Sequence, residues 1–289
     1  MRIKKAVIPV AGLGTRLLPA TKTVPKELLP IVDIPAIQYV VQEAVESGIQ
    51  EVIFVTGRGK DGIEDYFDES PELEQVLEQR GQKELRERLR EIAAMVEVVS
   101  VRQKRPLGLG HAVLCARDLV GNEPFVVLLS DDLIDNSVPC VRQLLDVFEK
   151  KGESVLALRR VPKSEVHRYG IIHGKALTER LYEVDAMVEK PAPHEAPSQL
   201  AIVGRYILRP EIFSILEQLA PGRGGEIQLT DGIAQLACAR RVYGYEFSGE
   251  HYDVGDKLGL VRATIAYALK RPELREQVKE YFKKVINET

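Results

Sequence analysis

The first half of the chain contains short apolar runs that lack the polar alternation of a half-exposed strand. Unbroken runs of this length are typical of parallel strands that helices cover on both faces. The runs are "AVIPV", "EVIFVTG" and "FVVLLSDD", at residues 6–10, 51–57 and 125–132.

Helical patterns lie between these runs. In "AIQYVVQEAVESG", Ile37, Val41 and Val45 share one face, and Gly48 follows as a C-cap. The segment "GHAVLCARDLV" predicts a second helix after a glycine turn. Strands that alternate with helices predict right-handed crossovers and a doubly wound α/β sheet.

The segment 70–94 is charge-rich and broadly helical, and Gly81 predicts a break in it. We interpret this segment as a solvated excursion outside the core. In the second half, Pro210 fits the first turn of a helix, Thr230 or Asp231 is a candidate cap of another, and Asp256 of a third. Further strands are predicted at 154–161, 169–174, 180–191, 200–208, 242–247 and 250–255.

The C-terminal segment 272–289 is amphipathic. Leu274, Val278, Phe282 and Val285 fall on one helical face, so we expect this helix to dock on the body or on another subunit. No internal repeat or low-complexity linker is visible, which favours one domain over residues 1–289.

Composition narrows the classes of protein that the chain can represent. With 289 residues it can bury a sizeable core, and its net charge of −3 gives no argument for nucleic acid or an anionic membrane. No apolar run approaches a membrane span, and no signal peptide is recognisable. The 3 cysteines, Cys115, Cys140 and Cys238, are far apart, which favours a reducing cytoplasm over a disulfide framework or zinc site.

The loop "AGLGTRLLPATKTVPKELLP" follows the first predicted strand. Gly12 and Gly14 match the start of a dinucleotide-binding G-x-G-x-x-G, but Leu17 stands at the third glycine position. Prolines at 19, 25 and 30 exclude the long helix that such a loop requires, because proline inside a helix costs about 3 kcal/mol. A P-loop is excluded too, since G-x-x-x-x-G-K-[ST] is absent.

This loop carries several cations, Arg16, Lys22 and Lys26. Their density indicates a ligand with more negative charge than a pyrophosphate, for which a nucleoside triphosphate is the obvious candidate. The other interpretation is that they are surface charges on a long connection. The loop alone does not decide between the two.

The same loop resembles the G-x-G-T-R signature of the sugar-nucleotide pyrophosphorylases. Within that family the chain looks most like the bacterial members that use UTP and glucose 1-phosphate. Leu28, Pro106 and Gln199 depart from the usual pattern, which affects fine substrate preference rather than reaction class. The supporting segments are "RQKRPLGLGHAVLCA", "LLSDDL", "RYGII", "VEKP", "LAIVGRYIL", "GEIQLTDGI" and "YDVGDKLG".

The resemblance implies a Rossmann-like, mixed and mainly parallel sheet, the nucleotide-diphospho-sugar transferase fold. It implies a nucleotide-binding part at about 1–135, a sugar-phosphate-binding part at about 136–255 and a helical tail at about 256–289. Together with the amphipathic tail it implies a homodimer or homotetramer, and the charge, hydropathy and cysteine spacing predict a cytoplasmic protein that binds neither nucleic acid nor membrane.

The resemblance also assigns residues to the site. Asp131 and Asp253 would hold Mg2+, an ion that prefers oxygen ligands and substrate phosphates. Arg16 and Lys26 would neutralise phosphates, and Lys190 would bind the sugar phosphate. Without the family resemblance, we would interpret Asp253 and the glycines of these segments as ordinary turn residues, and His111 as a residue at the start of a helix. The implied nucleotide ligands are Ala11, Gly12, Gly14, Gln103, Gly108 and Asp131, and the sugar-phosphate ligands are Gly170, Glu189, Lys190 and Gly204.

The activity implied is Mg2+-dependent transfer of a uridylyl group from UTP to glucose 1-phosphate by direct in-line attack. No nucleophile–base pair is recognisable, which agrees with a direct displacement. The same reaction with dTTP or another sugar 1-phosphate is the first alternative. A nucleotide-sensing subunit without activity is the second, although each charged residue of the implied site is present, and an NAD-dependent oxidoreductase is the third.

Overall fold

A computed structural model of the chain describes residues 2–288, apart from the side chain of Arg223. The strands are β1 Lys5–Pro9, β2 Pro30–Ile31, β3 Ile34–Pro35, β4 Glu51–Thr56, β5 Glu97–Arg102, β6 Phe125–Leu128, β7 Asp132–Asp135, β8 Ser154–Arg160, β9 Gly170–Ala176, β10 Leu181–Glu189, β11 Leu200–Leu208, β12 Val242–Glu246 and β13 Glu250–Asp253. The helices are α1 Ala36–Glu46, α2 Asp61–Asp65, α3 Pro71–Gln79, α4 Lys83–Ala93, α5 Leu109–Cys115, α6 Arg117–Val120, α7 Cys140–Lys151, α8 Glu211–Gln218, α9 Leu229–Ala239, α10 Lys257–Lys270 and α11 Pro272–Glu288.

Nine strands form one mixed sheet in the order β5-β4-β1-β6-β11-β8-β12-β10-β9. The four strands from the N-terminal half are parallel to one another. Strand β11 lies antiparallel between β6 and β8, and β9 and β10 complete an antiparallel edge. The mixed α/β sheet predicted from the sequence is therefore confirmed, with its contiguous parallel part in the first half.

The apolar runs are buried because both faces of the sheet are covered. Ile8 and Phe54 point into the core under α1 and α7, while their neighbours Val7 and Ile53 point into the core under α5, α8 and α9. All four side chains are fully buried. Successive side chains of a strand point to opposite faces, so two buried faces require the unbroken apolar pattern.

Most of the predicted helix ends and caps are confirmed. Gly48 follows α1 with a φ of +94°, and Gly81, with a φ of +68°, separates α3 from α4. The Asp256 side chain caps α10 by accepting from the Gly259 N–H at 2.8 Å. The prediction that Thr230 or Asp231 caps a helix is wrong. Because α9 already begins at residue 229, both lie inside its first turn.

The run 125–132 is not one strand that ends in "SDD". Strand β6 ends at Leu128, a turn follows, and Asp132 opens β7, which pairs antiparallel with β13. In that pairing Asp132 lies opposite Asp253. The turn therefore carries Asp131 to the end of the parallel strands, beside a carboxylate from far along the chain.

The tail helix α11 packs against α10. Its predicted apolar face is partly covered: Leu274, Val278 and Phe282 are half-buried, whereas Val285 is 37% exposed. Among residues 2–288, no helix combines the length and the apolar character needed to cross a bilayer.

Candidate active site

Two adjoining cavities open at the carboxyl ends of the parallel strands, where ligands bind in open α/β sheets. We call them the loop cavity, of about 440 Å³, and the carboxylate cavity, of about 570 Å³. Asp131 lines both. Every residue predicted for the site lines at least one of them. The loop cavity takes Ala11, Gly12, Gly14, Lys26, Gln103 and Gly108, and the carboxylate cavity takes Arg16, Gly170, Glu189, Lys190, Gly204 and Asp253.

The glycine loop folds around the Lys26 side chain. Gly14 has a φ of +67°, and a Cβ built there would lie 3.2 Å from the Lys26 Cβ. The Thr21 hydroxyl donates to the Gly14 carbonyl at 2.7 Å and closes the loop on itself. Glycine at position 14 is therefore needed both for the left-handed backbone and for the close approach of Lys26.

Lys26 is held toward the boundary between the cavities. Its ammonium lies 2.6 Å from Asp131 Oδ2, and only 15% of the side chain is exposed. The next residue, Glu27, is buried and pairs with Lys60 at 2.7 Å, which anchors the segment from below. Burial acts to lower the pKa of Lys26, but the charges of Asp131 and Glu27 outweigh it and raise the pKa, so the amine stays charged.

Arginines link the carboxylates into a chain of alternating charge. Arg16 donates to Asp131 at 3.2 Å and to Asp253 at 3.0 Å, so it bridges the two predicted metal ligands. Arg168 then bridges Asp253 and Asp256, with both contacts at 2.8 Å. The first loop is thereby tied to the C-terminal part of the chain across the cleft.

Asp131 and Asp253 differ in their electrostatic environment. Burial acts to raise the pKa of Asp131, but Lys26, as a charge and a hydrogen-bond donor, lowers the net pKa below its usual range. The pKa of Asp253 is raised by burial and then by the nearby charge of Asp132, against the opposing effect of Arg16. The cations of the first loop therefore favour the ionised form of Asp131, whereas burial and a neighbouring carboxylate disfavour the ionised form of Asp253.

Two carboxylates bridged by one cation form a suitable donor set for a divalent metal. Both Asp131 and Asp253 offer oxygen atoms and line an open cavity, and in the free protein Arg16 pairs with both. Mg2+ is commonly held by one or two carboxylates together with substrate phosphates and water. Within residues 2–288 no group of three or more His, Cys, Asp or Glu is arranged to hold a metal, so substrate oxygens would have to complete the coordination.

Gln103 is fixed by two contacts at the base of the loop cavity. Its amide nitrogen donates to the Gly108 carbonyl at 3.1 Å and contacts His111 Nδ1 at 2.9 Å, and the residue is 9% exposed. His111 is the third residue of α5, as a helix-start residue would be, and it also orients Gln103. These two contacts occupy the amide nitrogen of Gln103, so its amide oxygen is the atom left to accept a hydrogen bond from a ligand.

Gly108 and Gly110 are required by a neighbouring segment of the chain. A Cβ at either residue would lie 2.8 Å from the Ile227 carbonyl, and Gly108 also has a φ of +98°. Ile227 donates to Leu107 and accepts from Gly110, both at 2.8 Å. This short ladder joins the rim of the loop cavity to Glu226, which lines both cavities.

Lys190 and Glu189 meet at the far wall of the carboxylate cavity. Lys190 has a φ of +47°, a rare conformation for a residue other than glycine, and its ammonium lies 3.2 Å from Glu189. Glu189 also accepts from the Thr230 hydroxyl at 2.6 Å. Backbone strain of this kind concentrates at functional sites. A Cβ at Gly170 would lie 3.1–3.2 Å from Thr230 and Glu189, so a side chain there would crowd this wall.

Several polar groups of the site were not predicted from the sequence. Arg168 and Thr230 line the carboxylate cavity. Asp132 accepts from the buried His251 at 2.6 Å, and Arg159 contacts the other ring nitrogen at 2.9 Å. Arg168 lies in "RYGII" and Thr230 in "GEIQLTDGI", but a single polar residue before a strand or at a helix start carries no signal of its own.

Comparisons with known proteins agree with this geometry. The family described as nucleotidyl transferase matches residues 5–269. A UTP–glucose-1-phosphate uridylyltransferase of Bacillus subtilis is 51% identical over 99% of this chain and 98% of its own. A UDP-glucose pyrophosphorylase in complex with UDP-glucose aligns with a TM-score of 0.85 at 45% identity, over 93% of this chain and all of that one.

A UTP-bound UGPase from Acinetobacter baumannii aligns with a TM-score of 0.88 at 43% identity, over 97% of this chain and 99% of that one. The resemblance identified from the signature loop is therefore confirmed over nearly the whole length. The chain belongs to the nucleotidyl transferase family.

Proposed function

We propose that the chain transfers a uridylyl group from UTP to glucose 1-phosphate and releases UDP-glucose and pyrophosphate. The observation that carries the proposal is that two cavities of different lining share Asp131. A nucleotide in one and a sugar phosphate in the other would bring their phosphates together at that carboxylate. The UTP- and UDP-glucose-bound relatives support the assignment of these two ligands.

UTP belongs in the loop cavity. The oxygen of the Gln103 amide would accept from the N3–H of uracil, and the backbone of Ala11 and Gly12 would contact the base edge. The triphosphate would extend along the glycine loop toward Lys26. Glucose 1-phosphate belongs in the carboxylate cavity, with its hydroxyls at Glu189 and its phosphate at Lys190.

The reaction is an in-line displacement at phosphorus. A phosphate oxygen of glucose 1-phosphate forms the new bond to the α-phosphorus, the bond from that phosphorus to the bridging oxygen breaks, and pyrophosphate leaves with the electron pair. The nucleophile is already an anion, so no general base is required. Catalysis then consists of positioning two polyanions and neutralising their charge.

Three cations of the chain supply that neutralisation. Lys26 lies where the two cavities meet and would contact phosphate at the reacting centre, and Lys190 would orient the attacking phosphate. Arg16 would steady the leaving pyrophosphate. Because Arg16 bridges Asp131 and Asp253 in the free protein, it must release at least one carboxylate to do so.

Those two carboxylates would hold Mg2+. The ion supplies positive charge between the phosphates and orients them when bound. Arg16 would have to give up at least one of its contacts with these carboxylates for the ion to be held there. Substrate binding, metal binding and the release of Arg16 are thus expected to be coupled.

An assay of pyrophosphate release tests the proposal. UTP, dTTP, ATP and GTP are each combined with the 1-phosphates of glucose, galactose and N-acetylglucosamine, with Mg2+ and with excess chelator. The expected result is fast Mg2+-dependent release for UTP with glucose 1-phosphate. Faster release with dTTP or another sugar would replace the substrate assignment. Nucleotide binding without release in any combination would favour a sensing subunit, and tight NAD binding without UTP binding would favour an oxidoreductase.

We also propose a homodimer or homotetramer. Exposed apolar side chains on α10 and α11 support an association surface: Leu258 is 58%, Val261 53%, Tyr281 65% and Ile286 71% exposed. Light scattering tests this, and a monomer at micromolar concentration would contradict it.

A further inference from the structure

Arg205 is a fully buried cation beneath the turn that carries Asp131. Its side chain has no exposed surface, and its guanidinium pairs with Glu43 at 2.7 Å. A buried charge is costly to desolvate and is tolerated when it is paired and its donors are satisfied. Neither residue lines the loop or the carboxylate cavity, so the pair needs a role other than contact with ligand.

The remaining donors of Arg205 hold backbone carbonyls on both sides of Asp131. One terminal nitrogen donates to the Leu129 carbonyl at 3.2 Å, and the other donates to the Asp132 carbonyl at 2.7 Å. The first nitrogen also donates to the Gly204 carbonyl at 3.2 Å. One guanidinium therefore spans the turn from residue 129 to residue 132.

Glu43 connects this clamp to the core. Its carboxylate accepts from both sides of the Arg205 fork and from the Val141 N–H at the start of α7, at 3.1 Å. On the opposite side of the turn, the Val254 N–H donates to the Asp131 carbonyl at 2.8 Å. The backbone of the turn is thus fixed from below by α1 and α7 and from above by the segment after β13.

We infer that Arg205 and Glu43 are positioning residues that set the Asp131 carboxylate for metal binding. The inference rests on the proposed function, because metal binding at Asp131 is part of it. Residues that orient a metal ligand typically change metal affinity or activity by roughly 10- to 100-fold when they are removed. Arg205 and Glu43 could orient the turn at residues 129–132, or they could only stabilise the fold, and the two roles predict different results.

A double variant separates the two roles. Arg205→Met alone leaves Glu43 buried and unpaired and is expected to unfold readily. In Arg205→Met/Glu43→Met both charges are gone, and replacing a buried ion pair by apolar residues is often neutral for stability. The double variant therefore regains stability but still lacks the donors to the Leu129 and Asp132 carbonyls. Arg205→Lys is a third variant that keeps a charge but has no planar fork to span the turn.

The measurements are Mn2+ binding in the presence of UTP by electron paramagnetic resonance, thermal unfolding, and steady-state kinetics at varied Mg2+. For the double variant we expect a higher unfolding temperature than for Arg205→Met, Mn2+ affinity weakened roughly tenfold or more, and a raised Mg2+ requirement. The matched control is Arg240→Met, which cuts ion pairs with Glu153 and Glu211 at the other end of the strands. It is expected to leave Mn2+ affinity unchanged.

The outcomes are distinguishable from failure of the proposed function. If the wild-type protein neither binds Mn2+ nor releases pyrophosphate, the proposed function fails. If the wild-type protein does both and the stable double variant binds Mn2+ equally well, the positioning role is overturned. Should the double variant fail to fold, Arg205→Lys decides: wild-type Mn2+ affinity in that variant would also overturn the inference.

Discussion

Gly204→Ala tests the close contact between β11 and the carboxylate cavity. The added Cβ would lie 2.3 Å from Asp132 Oδ2, about 1.1 Å inside the 3.4 Å at which ordinary contact begins. The Asp132 backbone cannot yield easily, because it is paired in β7 and its carbonyl accepts from Arg205. The Asp132 side chain must therefore rotate away and lose its 2.6 Å hydrogen bond to His251, and the backbone must also shift, because the new methyl would lie 2.9 Å from the Asp132 Cβ.

The expected cost follows from these two effects. Overpacking of a well-packed site costs about 1–3 kcal/mol, and loss of a hydrogen bond to a charged group costs about 1.5–3 kcal/mol. We expect Gly204→Ala to lower the free energy of unfolding by roughly 2.5–6 kcal/mol. Because Gly204 and Asp132 line the carboxylate cavity, KM for glucose 1-phosphate should rise more than KM for UTP.

Urea unfolding followed by circular dichroism measures the first effect, and steady-state kinetics measure the second. Gly62→Ala is the matched control, because its Cβ would meet only the Leu28 side chain at an ordinary 3.4 Å. Adding Asp132→Ala to Gly204→Ala should recover more than about 1 kcal/mol of coupling energy. A Gly204→Ala protein that loses less than about 0.5 kcal/mol and keeps both KM values would refute the reasoning.

Three substitutions of charged residues test the site more directly. Lys190→Ala should raise the requirement for glucose 1-phosphate far more than that for UTP in steady-state assays, and equal damage to both would contradict its role. Asp131→Asn should abolish turnover with an unchanged circular dichroism spectrum. The pKa of Asp131 is lowered in the folded protein, so its carboxylate stabilises the wild-type fold at pH values above its unfolded pKa of about 3.9. That contribution disappears as the pH falls through the folded pKa. Urea unfolding between pH 6 and 3 should therefore depend less on pH in the variant than in the wild-type protein. Asp253→Asn should lose activity but keep or gain stability at pH 7, since the pKa of Asp253 is raised in the fold; a loss above about 1 kcal/mol would argue against this.

The parallel half of the sheet was predictable because its signals are local. Strands buried on both faces need unbroken apolar runs, and Gly81 and Asp256 mark helix boundaries through backbone conformation and capping. The position of Thr230 shows the limit of this reasoning. A threonine before an apolar run is a good cap, but α9 starts earlier and uses the hydroxyl to bind Glu189 instead.

Arg205 shows what local patterns could not predict. An arginine in "LAIVGRYIL" is expected at a sheet surface, yet it is fully buried because Glu43, 162 residues away, lies opposite it. The pairing of Asp132 with His251 likewise depends on the antiparallel match of β7 with β13. The charged residues of the site were found by family resemblance, and their residue types alone indicated only a polyphosphate.

The position of β11 has a consequence for the synthesis of the protein. This strand separates β6 from β8, so the sheet cannot close until the ribosome has made residue 208. At about 5–20 residues per second, the 80 residues between Leu128 and Leu208 take roughly 4–16 s. During that interval β6 presents an open apolar edge, the kind of edge that promotes aggregation. Between these two points the nascent chain is therefore open to chaperones and to misassembly at the β6 edge.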